Sequence, residues 1–477
     1  MVDAVNHAAI ARTAPTARWA LAALSLAMLL SSLGTSIANV GLPALSLAFD
    51  ASFQAVQWVV VAYLLAIASL IVGVGRLGDI VGRRRLLLAG IALHGAASVL
   101  CGLAPELPLL IAARAVQGLG AAIMMSLSMA LVGDTVAKAR TGSAMGLLGT
   151  MSAAGTALGP SLGGALIASF GWPAMFLVNI PLGVLAFALA YGALPADRPA
   201  AAGSARFDYT GTALLALTLA AYAYAMTTAH GGFGSVNAAF LAAAVLGAGL
   251  FALAQSRAAS PLIRPALFAD PALSAGLATS ALVSTVMMAT MVVGPFYLTR
   301  ALGLDAGRAG LALSVGPAVA ALTGIVAGRV TDRFGAGRMT VAGLAGIVAG
   351  AAALAALPGS FGVAGYIAPI VVITTGYALF QTANNTAVMA EVRPDQRGVV
   401  SGMLNLSRNL GLITGASAMG AVFAWGTAAA DIATARPEAV AAGMRMTFAV
   451  AAALIVAAIA AALRALVAGR PSAADAG

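Results

Sequence analysis

The stretch Gly75-Arg76-Leu77-Gly78-Asp79-Ile80-Val81-Gly82-Arg83-Arg84-Arg85 is the densest charge cluster in a chain that carries few charges. It lies between two long apolar runs, so we expect a short polar loop at a membrane surface. A weaker copy follows at Gly328-Arg329-Val330-Thr331-Asp332-Arg333-Phe334-Gly335-Ala336-Gly337-Arg338. Asp79 and Asp332 are equivalent points of the two copies, 253 residues apart. A charged loop that occurs twice in a membrane chain indicates an internal duplication, as in many transporters.

The composition predicts an all-α polytopic membrane protein whose main partner is the lipid bilayer. Of the 477 residues, 61% are hydrophobic and only 8% are charged, whereas soluble proteins carry roughly 25% charged residues. The net charge of +10 would suit nucleic-acid binding, but the positive residues lie in short loops rather than on a soluble domain. We therefore expect no nucleic-acid partner.

A helix that crosses the hydrocarbon core needs about 20 apolar residues. Apolar runs broken by Gly, Pro and charge predict about fourteen spans, at 19–45, 54–75, 86–104, 107–132, 141–168, 173–194, 208–229, 236–256, 271–299, 307–328, 339–357, 361–390, 396–425 and 442–467. Nineteen of the 25 Lys and Arg residues fall on the side of the N-terminal tail and four on the other, with Arg114 and Arg408 inside spans. By the positive-inside rule, both termini are expected in the cytoplasm.

The spacing of the duplication predicts two extra spans between the halves. Asp134 after span 4 corresponds to Glu391 after span 12, an offset of 257 residues that fits eight spans better than six. The expected divisions are a cytoplasmic tail at 1–18, a six-helix bundle at 19–194, a two-span insert with linkers at 195–270, a second six-helix bundle at 271–467 and a cytoplasmic tail at 468–477.

Polar side chains inside spans are candidates for the lining of a cavity. In the first half, Asn39 and Thr35 share one face of span 1, and Arg114 and Gln117 share a face of span 4. Interhelical hydrogen bonding, or snorkelling of Arg114 to one surface, would explain them equally well. In the second half the candidates are Tyr377, Gln381, Asn384, Asn405 and Arg408.

Three methionines in span 9, Met287, Met288 and Met291, suit an adaptable apolar binding surface, although lipid-facing positions would explain them as well. In span 5, Gly155, Gly159 and Gly163 form a flat face for close helix packing, and Pro160 should bend the helix. Around the repeated loop we expect a cytoplasmic gate of Gly75, Asp79, Gly82, Arg83, Asp134 and Asp332. Alternatively, the arginines act only as topology signals.

These motifs resemble those of the major facilitator superfamily, and within it the fourteen-span drug:proton antiporters. Gly75–Arg85 is similar to the signature loop after span 2, Arg114–Gly120 to the span-4 arginine motif and Gly155–Gly164 to the antiporter motif. Phe176–Gly183 and Asn39–Pro43 resemble features of the fourteen-span branch.

The resemblance implies a major facilitator fold of two pseudo-symmetric six-helix bundles plus two extra central spans. It also implies a gate in which Asp79 and Arg83 latch against Asp134 and the start of span 13. The expected function is multidrug-type efflux of amphipathic molecules from the cell through the plasma membrane. A monomer would perform it, driven by the proton gradient, with no cofactor or metal and no enzymatic activity.

One departure concerns the proton carrier. Many members of the branch place an aspartate in span 1 where this chain has Gly34, and none of the 15 acidic residues lies well inside a predicted span. His94 is the candidate titrating group, because imidazole titrates near neutral pH, although a lone histidine is more often structural. Two arginines without a buried acid favour neutral or anionic substrates. The alternative function is therefore a facilitator or exporter of a specific organic anion or metabolite.

Overall fold

The protein is an all-helical membrane chain throughout the residues described by the computed structural model. These are residues 14–136, 141–197, 207–227, 234–258, 261–262, 268–356, 359–390, 397–429, 432 and 435–468. Within them, fourteen helices are long and apolar enough to cross a bilayer, and each coincides with one of the fourteen predicted spans. The predicted fold class is thereby confirmed.

The helices are named α1 to α14 in the order of the spans. Three of them contain a change of helical geometry: α6 consists of two pieces, α9 ends in a π-helical turn and α13 contains one. The bounds are α1 Ala14–Ala48, α2 Phe53–Val81, α3 Arg83–Gly102, α4 Leu107–Thr135, α5 Thr141–Phe170, α6 Ala174–Leu177 and Asn179–Ala193, α7 Tyr209–Thr227, α8 Ser235–Arg257, α9 Pro271–Phe296 and Tyr297–Ala301, α10 Ala306–Phe334, α11 Ala336–Ala356, α12 Gly362–Ala390, α13 Arg397–Thr414, Gly415–Met419 and Gly420–Thr427, and α14 Pro437–Ala468.

The repeated charged stretch is almost entirely helical, which corrects the expected loop. Residues 75–81 form the last turns of α2, and α3 begins at Arg83, so that only Gly82 lies between the two helices. Gly82 has a φ of 105°, and its counterpart Gly335, between α10 and α11, has a φ of 88°. L-residues with a side chain rarely adopt such angles, so glycine permits each sharp reversal. The same break in both halves confirms the duplication at the level of the backbone.

The helices pack as two groups joined by a smaller pair. In the first group, α1 packs on α5 and α6, and α4 packs on α2 and α3. In the second, α9 packs on α13, α12 on α10 and α11, and α14 on α11. The groups meet where α5 contacts α10 and where α2 contacts α13. Helices α7 and α8 pack on each other, and α7 also packs on α2.

Two names describe the ends of this bundle. The membrane face that carries the reversals at Gly82 and Gly335 is called the Gly82 face. The opposite face, which carries the turns at Gly171 and Gly303, is called the Gly303 face.

Candidate functional site

A cavity of about 130 Å³ lies where the two groups of helices meet. Its walls come from α9, α10, α12 and α13, and Thr156 of α5 is the lining residue of the first group. The lining residues are Thr156, Ser284, Met287, Met288, Thr290, Met291, Leu313, Gly316, Pro317, Ala320, Tyr366, Ile370, Thr374, Tyr377, Arg408 and Leu412.

The cavity wall combines an adaptable apolar surface with aromatic rings. Met287, Met288 and Met291 all line it. Of the two positions expected for these methionines, they therefore occupy the cavity wall and not the lipid-facing surface. Their unbranched thioether side chains fit apolar ligands of different shapes. Tyr366 and Tyr377 add rings with a polar end, which suits molecules that are partly apolar and partly polar.

Arg408 gives the cavity a positive charge. It lines the cavity and is half-buried, and no carboxylate lies within ion-pair distance of it in the described part of the chain. The acidic residues that the structure describes all lie at helix ends or between helices, as predicted. A cationic ligand would therefore meet repulsion in this cavity, whereas a neutral or anionic one would not.

The cavity is closed toward the Gly303 face by two equivalent contacts. Between α5 and α10, Gly310 lies against the carbonyl of Pro160, so close that a Cβ on Gly310 would overlap that oxygen. Between α2 and α13, the side-chain amide of Gln57 donates a hydrogen bond of 2.6 Å to the carbonyl of Ala416. Gln57 precedes Gly310 by 253 residues and Pro160 precedes Ala416 by 256, so these contacts are repeats of each other.

Three buried phenylalanines reinforce this closure. The ring of Phe53, in the first turn of α2, lies 4.9 Å from that of Phe296 and 5.6 Å from that of Phe423. Edge-on ring pairs of this kind stabilise a contact beyond the burial of their area. The hydrogen bond and the ring contacts that join the two groups in the described residues thus lie toward the Gly303 face.

Arg114 lies inside the first group of helices and does not line the cavity, contrary to the expectation from sequence. It is fully buried, and its guanidinium donates to the carbonyls of Val59 (2.9 Å) and Gly34 (3.1 Å) and to the side chain of Gln117. The ring of Tyr63 lies 4.0 Å from the guanidinium carbon, a favourable cation–π distance. A planar side chain with five donors can join three helices in this way, so Arg114 ties α1 and α2 to α4.

His94 belongs to the same cluster. Its Nδ1 lies 3.2 Å from the carbonyl oxygen of Gln117, which can only accept, so Nδ1 carries the hydrogen and Nε2 is the basic nitrogen. Nε2 is buried without a hydrogen-bond partner among the described residues. A Cβ built on Gly34 would lie 2.8 Å from the hydroxyl oxygen of Tyr63 and 3.3 Å from Cε1 of His94. A side chain at position 34, where the resemblance to the antiporters predicted an acid, would therefore point at His94 and Tyr63.

The other polar candidates lie outside the cavity lining. Asn39 is buried and donates to the carbonyl of Thr35, which lies on its own helix. The side chain of Asn384 donates to the carbonyl of Gly276 in α9 (3.1 Å). Gln381 and Asn405 are half-buried and lie outside the cavity lining. Of the nine residues predicted to line the cavity, only Tyr377 and Arg408 do so.

The glycine face of α5 packs on α1. A Cβ on Gly155 would meet the backbone of Leu29, and a Cβ on Gly159 would meet the side chain of Ser36. Gly163 lies in the same way against Ile37. The predicted close helix contact is thus present, and Pro160 on the neighbouring face of α5 approaches α10.

The predicted gate forms only in part within the described residues. Arg83 pairs with Asp79 across the Gly82 break, with Nη2 and Nε at 3.0 and 3.1 Å from Oδ1, and both side chains are substantially exposed. The side chain of Asp134 lies outside the described residues, so its pairing with Arg83 stays a prediction. Asp332 is exposed at the end of α10, and Gly75 lies within helix α2.

Asp197 makes a structural contact that the sequence did not predict. It accepts hydrogen bonds from the backbone amides of Arg84 (2.8 Å) and Arg85 (3.1 Å) and so caps the start of α3. An acid at a helix N-terminus also interacts favourably with the helix dipole. This cap comes from the segment after α6, and the expected contact of Asp79 with the start of span 13 stays a prediction. The only signal was a lone acid that follows the last apolar residues of span 6.

Comparisons with known proteins agree with this architecture. A family model described as Major Facilitator Superfamily matches residues 24–416. The chain is 31% identical to the multidrug efflux pump LfrA of Mycolicibacterium smegmatis over 86% of this chain and 81% of that protein. It is 28% identical to the riboflavin transporter RibZ of Clostridioides difficile over 84% and 87% of the two chains. A bacterial homologue of the human lysosomal transporter Spinster superposes with a TM-score of 0.70 at 17% identity, covering 97% of this chain and all of the other.

Proposed function

This chain belongs to the major facilitator superfamily, and from that membership we propose that it exports hydrophobic or amphipathic small molecules, driven by the proton gradient. The superfamily consists of membrane transporters, which also argues against an enzyme. The proposal makes the cavity lined by methionines, tyrosines and Arg408 the binding site for the exported molecule. Alternating access, in which the two groups of helices open the cavity first to one face and then to the other, would carry it across.

The observation that carries the proposal is the chemistry of the cavity wall. Three flexible methionines and two tyrosines suit several apolar or amphipathic molecules. The hydroxyls of Thr290 and Thr374, which also line the cavity, already donate to backbone carbonyls of their own helices. The similarity to a multidrug efflux pump supports the same substrate class. We also propose that the chain belongs to the fourteen-span branch, because fourteen helices are long and apolar enough to span and α7 and α8 come between the two groups in chain order.

The direction of transport rests on orientation. We propose that the Gly82 face is cytoplasmic and that both termini share that side, because most Lys and Arg residues lie there in the sequence. The cavity closed toward the Gly303 face would then be the state that accepts molecules from the cell. We also propose that the protein acts as a monomer in the plasma membrane. Its two bundles would comprise residues 19–194 and 271–467, with an insert at 195–270 between them.

Proton coupling needs a group that gains and loses a proton during the cycle. We propose His94, because its Nε2 is buried without a partner in the described structure and its Cε1 lies 3.3 Å from a Cβ built on Gly34, the position where the resemblance predicted an acid. Protonation of Nε2 would add a second positive charge to the cluster of Arg114. The protonated form would therefore belong to a state in which this cluster has rearranged, which links the proton to the movement of α1, α3 and α4.

Transport into inside-out vesicles tests the proposal. An uncharged fluorescent amphipath should accumulate when the vesicles hold a proton gradient, and an ionophore that collapses the gradient should abolish accumulation. Accumulation that persists unchanged would refute proton coupling. The variant His94→Asn, which keeps a donor for the carbonyl of Gln117, should lose gradient-driven accumulation but retain exchange of substrate across the membrane.

A specific exporter or facilitator for an organic anion or metabolite is the second candidate. The charge of Arg408, which no carboxylate pairs among the described residues, favours it, as does the similarity to a riboflavin transporter. The substitution Gly34→Asp separates the two candidates, because it directs a carboxylate at Tyr63 and His94. An anion transporter should lose activity in this variant, whereas a gain of cation export would favour the drug antiporter.

A further inference from the structure

The central cavity has a polar end and an apolar end. Ser284 on α9, Tyr377 on α12 and Arg408 on α13 line the polar end, and their side chains make no hydrogen bond within the described part of the chain. Resting on the function proposed above, we propose that this end binds the carboxylate of an amphipathic acid. The acid would lie with its head toward the Gly82 face and its apolar chain toward the Gly303 face.

The hydroxyl of Ser284 is open to the cavity. Thr279 and Thr285 on the same helix each donate to the carbonyl four residues earlier, at 2.9 Å, as hydroxyls in membrane helices commonly do. Ser284 makes no such bond, and in the described structure its oxygen is not one of the buried oxygens without a partner. A Cβ built on Gly411 of α13 would lie 2.7 Å from Cβ of Ser284, so close packing of the two helices fixes this residue.

Tyr377 and Arg408 bring further donors to the same cavity. Both side chains are half-buried, and Arg408 has no ion pair among the described residues. A guanidinium offers five N–H donors and no acceptor, and a phenol or serine hydroxyl can donate as well. Donors grouped with one positive charge fit a carboxylate, because both of its oxygens only accept and arginine can bind them together.

The three donors lie at the same end of the cavity. Helices α9 and α13 begin at the Gly82 face, whereas α12 ends there. Ser284 and Arg408 precede the other lining residues of their helices, and Tyr377 follows those of α12. Each donor is therefore the lining residue of its helix nearest to the Gly82 face. Met291 on α9 and Ile370 on α12 lie two helical turns, or about 10 Å, nearer to the Gly303 face.

The end toward the Gly303 face is apolar. Met291, Leu313 and Ile370 line it. The ring of Tyr366 lies there too, but its hydroxyl packs against Gly294 between α9 and α12, where a Cβ would overlap it. A carboxylate at this end would lose its hydration without gaining a positive partner, whereas the chain of a medium-length acid gains apolar contacts.

Photolabelling of the full chain in lipid nanodiscs tests the direction of binding. Two diazirine derivatives of octanoic acid differ only in the place of the diazirine, which is beside the carboxylate in one and at the end of the chain in the other. The first should label residues next to Ser284 and Arg408, and the second should label residues next to Met291 and Ile370. The same labelled residues for both probes, or the reverse pattern, would overturn the proposal.

Substitution tests the donors. The concentration of octanoate that halves labelling by a diazirine derivative of octanol should rise about tenfold in Ser284→Ala and in Tyr377→Phe, since each loses a hydrogen bond to a charged group. Thr285→Val is the matched control, because Thr285 lies outside the lining and its hydroxyl is bonded within α9. It should leave that concentration unchanged. Undiminished competition in both cavity variants, at unchanged unfolding temperatures, would refute the proposed donors.

The uncharged octanol probe separates this proposal from the function on which it rests. Labelling of the cavity by the octanol derivative but by neither acid would show that the cavity binds amphipaths without selecting a carboxylate. The proposal would then be wrong, and the proposed function would stand. Absence of cavity labelling by all three probes would contradict both.

Discussion

Arg114 and Arg408 lie in the middle of membrane-spanning helices, and their surroundings indicate different roles. The guanidinium of Arg114 is fully buried and bridges backbone carbonyls of α1 and α2. The side chain of Arg408 lines the central cavity and has no carboxylate partner among the described residues. Sequence alone placed both residues within spans, but it could not separate them, because helical periodicity does not show which neighbouring helix covers a given face.

We predict that Arg114→Ala destabilises the protein and Arg408→Ala does not. Loss of Arg114 leaves two buried carbonyls and the Gln117 side chain without a charged donor, and each such hydrogen bond contributes about 1.5–3 kcal/mol. The unfolding temperature in detergent should therefore fall by several degrees for Arg114→Ala alone. The same decrease in both variants, or a decrease for Arg408→Ala only, would contradict these assignments.

Gly82 allows a second prediction with a control in the same stretch. Gly82→Ala should destabilise the protein by about 1–2 kcal/mol or more, since its φ of 105° strains any L-side chain and a Cβ would strike the carboxylate of Asp197. Gly75→Ala should be neutral or slightly stabilising, because Gly75 is helical and a Cβ there meets nothing within 4 Å. Thermal unfolding of both variants measures the difference, and equal values would disprove this role for the Gly82 break.

Helix α5 makes close backbone contacts on two sides. Its glycines at 155, 159 and 163 lie against the backbone and side chains of α1, and Pro160 and Gly164 meet α10 from the other group. The spacing of small residues predicted a close helix contact but could not identify the partner helix. Because α5 is packed this closely on both sides, any movement of one group of helices relative to the other must change its contacts with α1 or with α10.

We predict that Gly159→Leu reduces both stability and transport, whereas Gly149→Leu on the same helix affects neither strongly. A side chain at Gly159 would overlap Ser36 and the backbone of α1, and overpacking costs about 1–3 kcal/mol. A Cβ at Gly149 meets nothing within 4 Å. Expression level, unfolding temperature and vesicle transport of the two variants provide the comparison, and a fully active Gly159→Leu would exclude close packing as the function of this face.

The sequence predicted the number and position of the helices best. Apolar length and interrupting charges predicted all fourteen helices, because hydrocarbon thickness imposes a minimum length on every span. The sequence did not predict the end of α2 correctly. Arg76 and Asp79, which we expected in a loop, lie in the helix, and the helix ends only at Gly82. The sequence also did not indicate Tyr366 and Thr374 in the cavity wall, because they lie among apolar residues of α12 and carry no pattern of their own.

At the scale of the whole molecule, the internal duplication produces two equivalent contacts that close the central cavity toward the Gly303 face. Gln57 with Ala416 and Gly310 with Pro160 are equivalent contacts between the two groups, and both lie toward the Gly303 face. Because each contact joins one helix from each group, opening this face requires both to separate together. One movement that separates both contacts would therefore open the central cavity to the Gly303 face.

Reversal of the charge of Arg408 tests most directly whether the exported molecule binds beside this residue. The measurement is the accumulation of matched anionic, neutral and cationic fluorescent amphipaths in inside-out vesicles that contain the unsubstituted protein or Arg408→Glu. The unsubstituted protein should prefer the neutral and anionic compounds, and Arg408→Glu should shift that preference toward the cation by about tenfold or more, since a reversed charge in a partly buried site changes binding by over about 1.4 kcal/mol. An unchanged ranking of the three compounds in a folded Arg408→Glu variant would contradict the account.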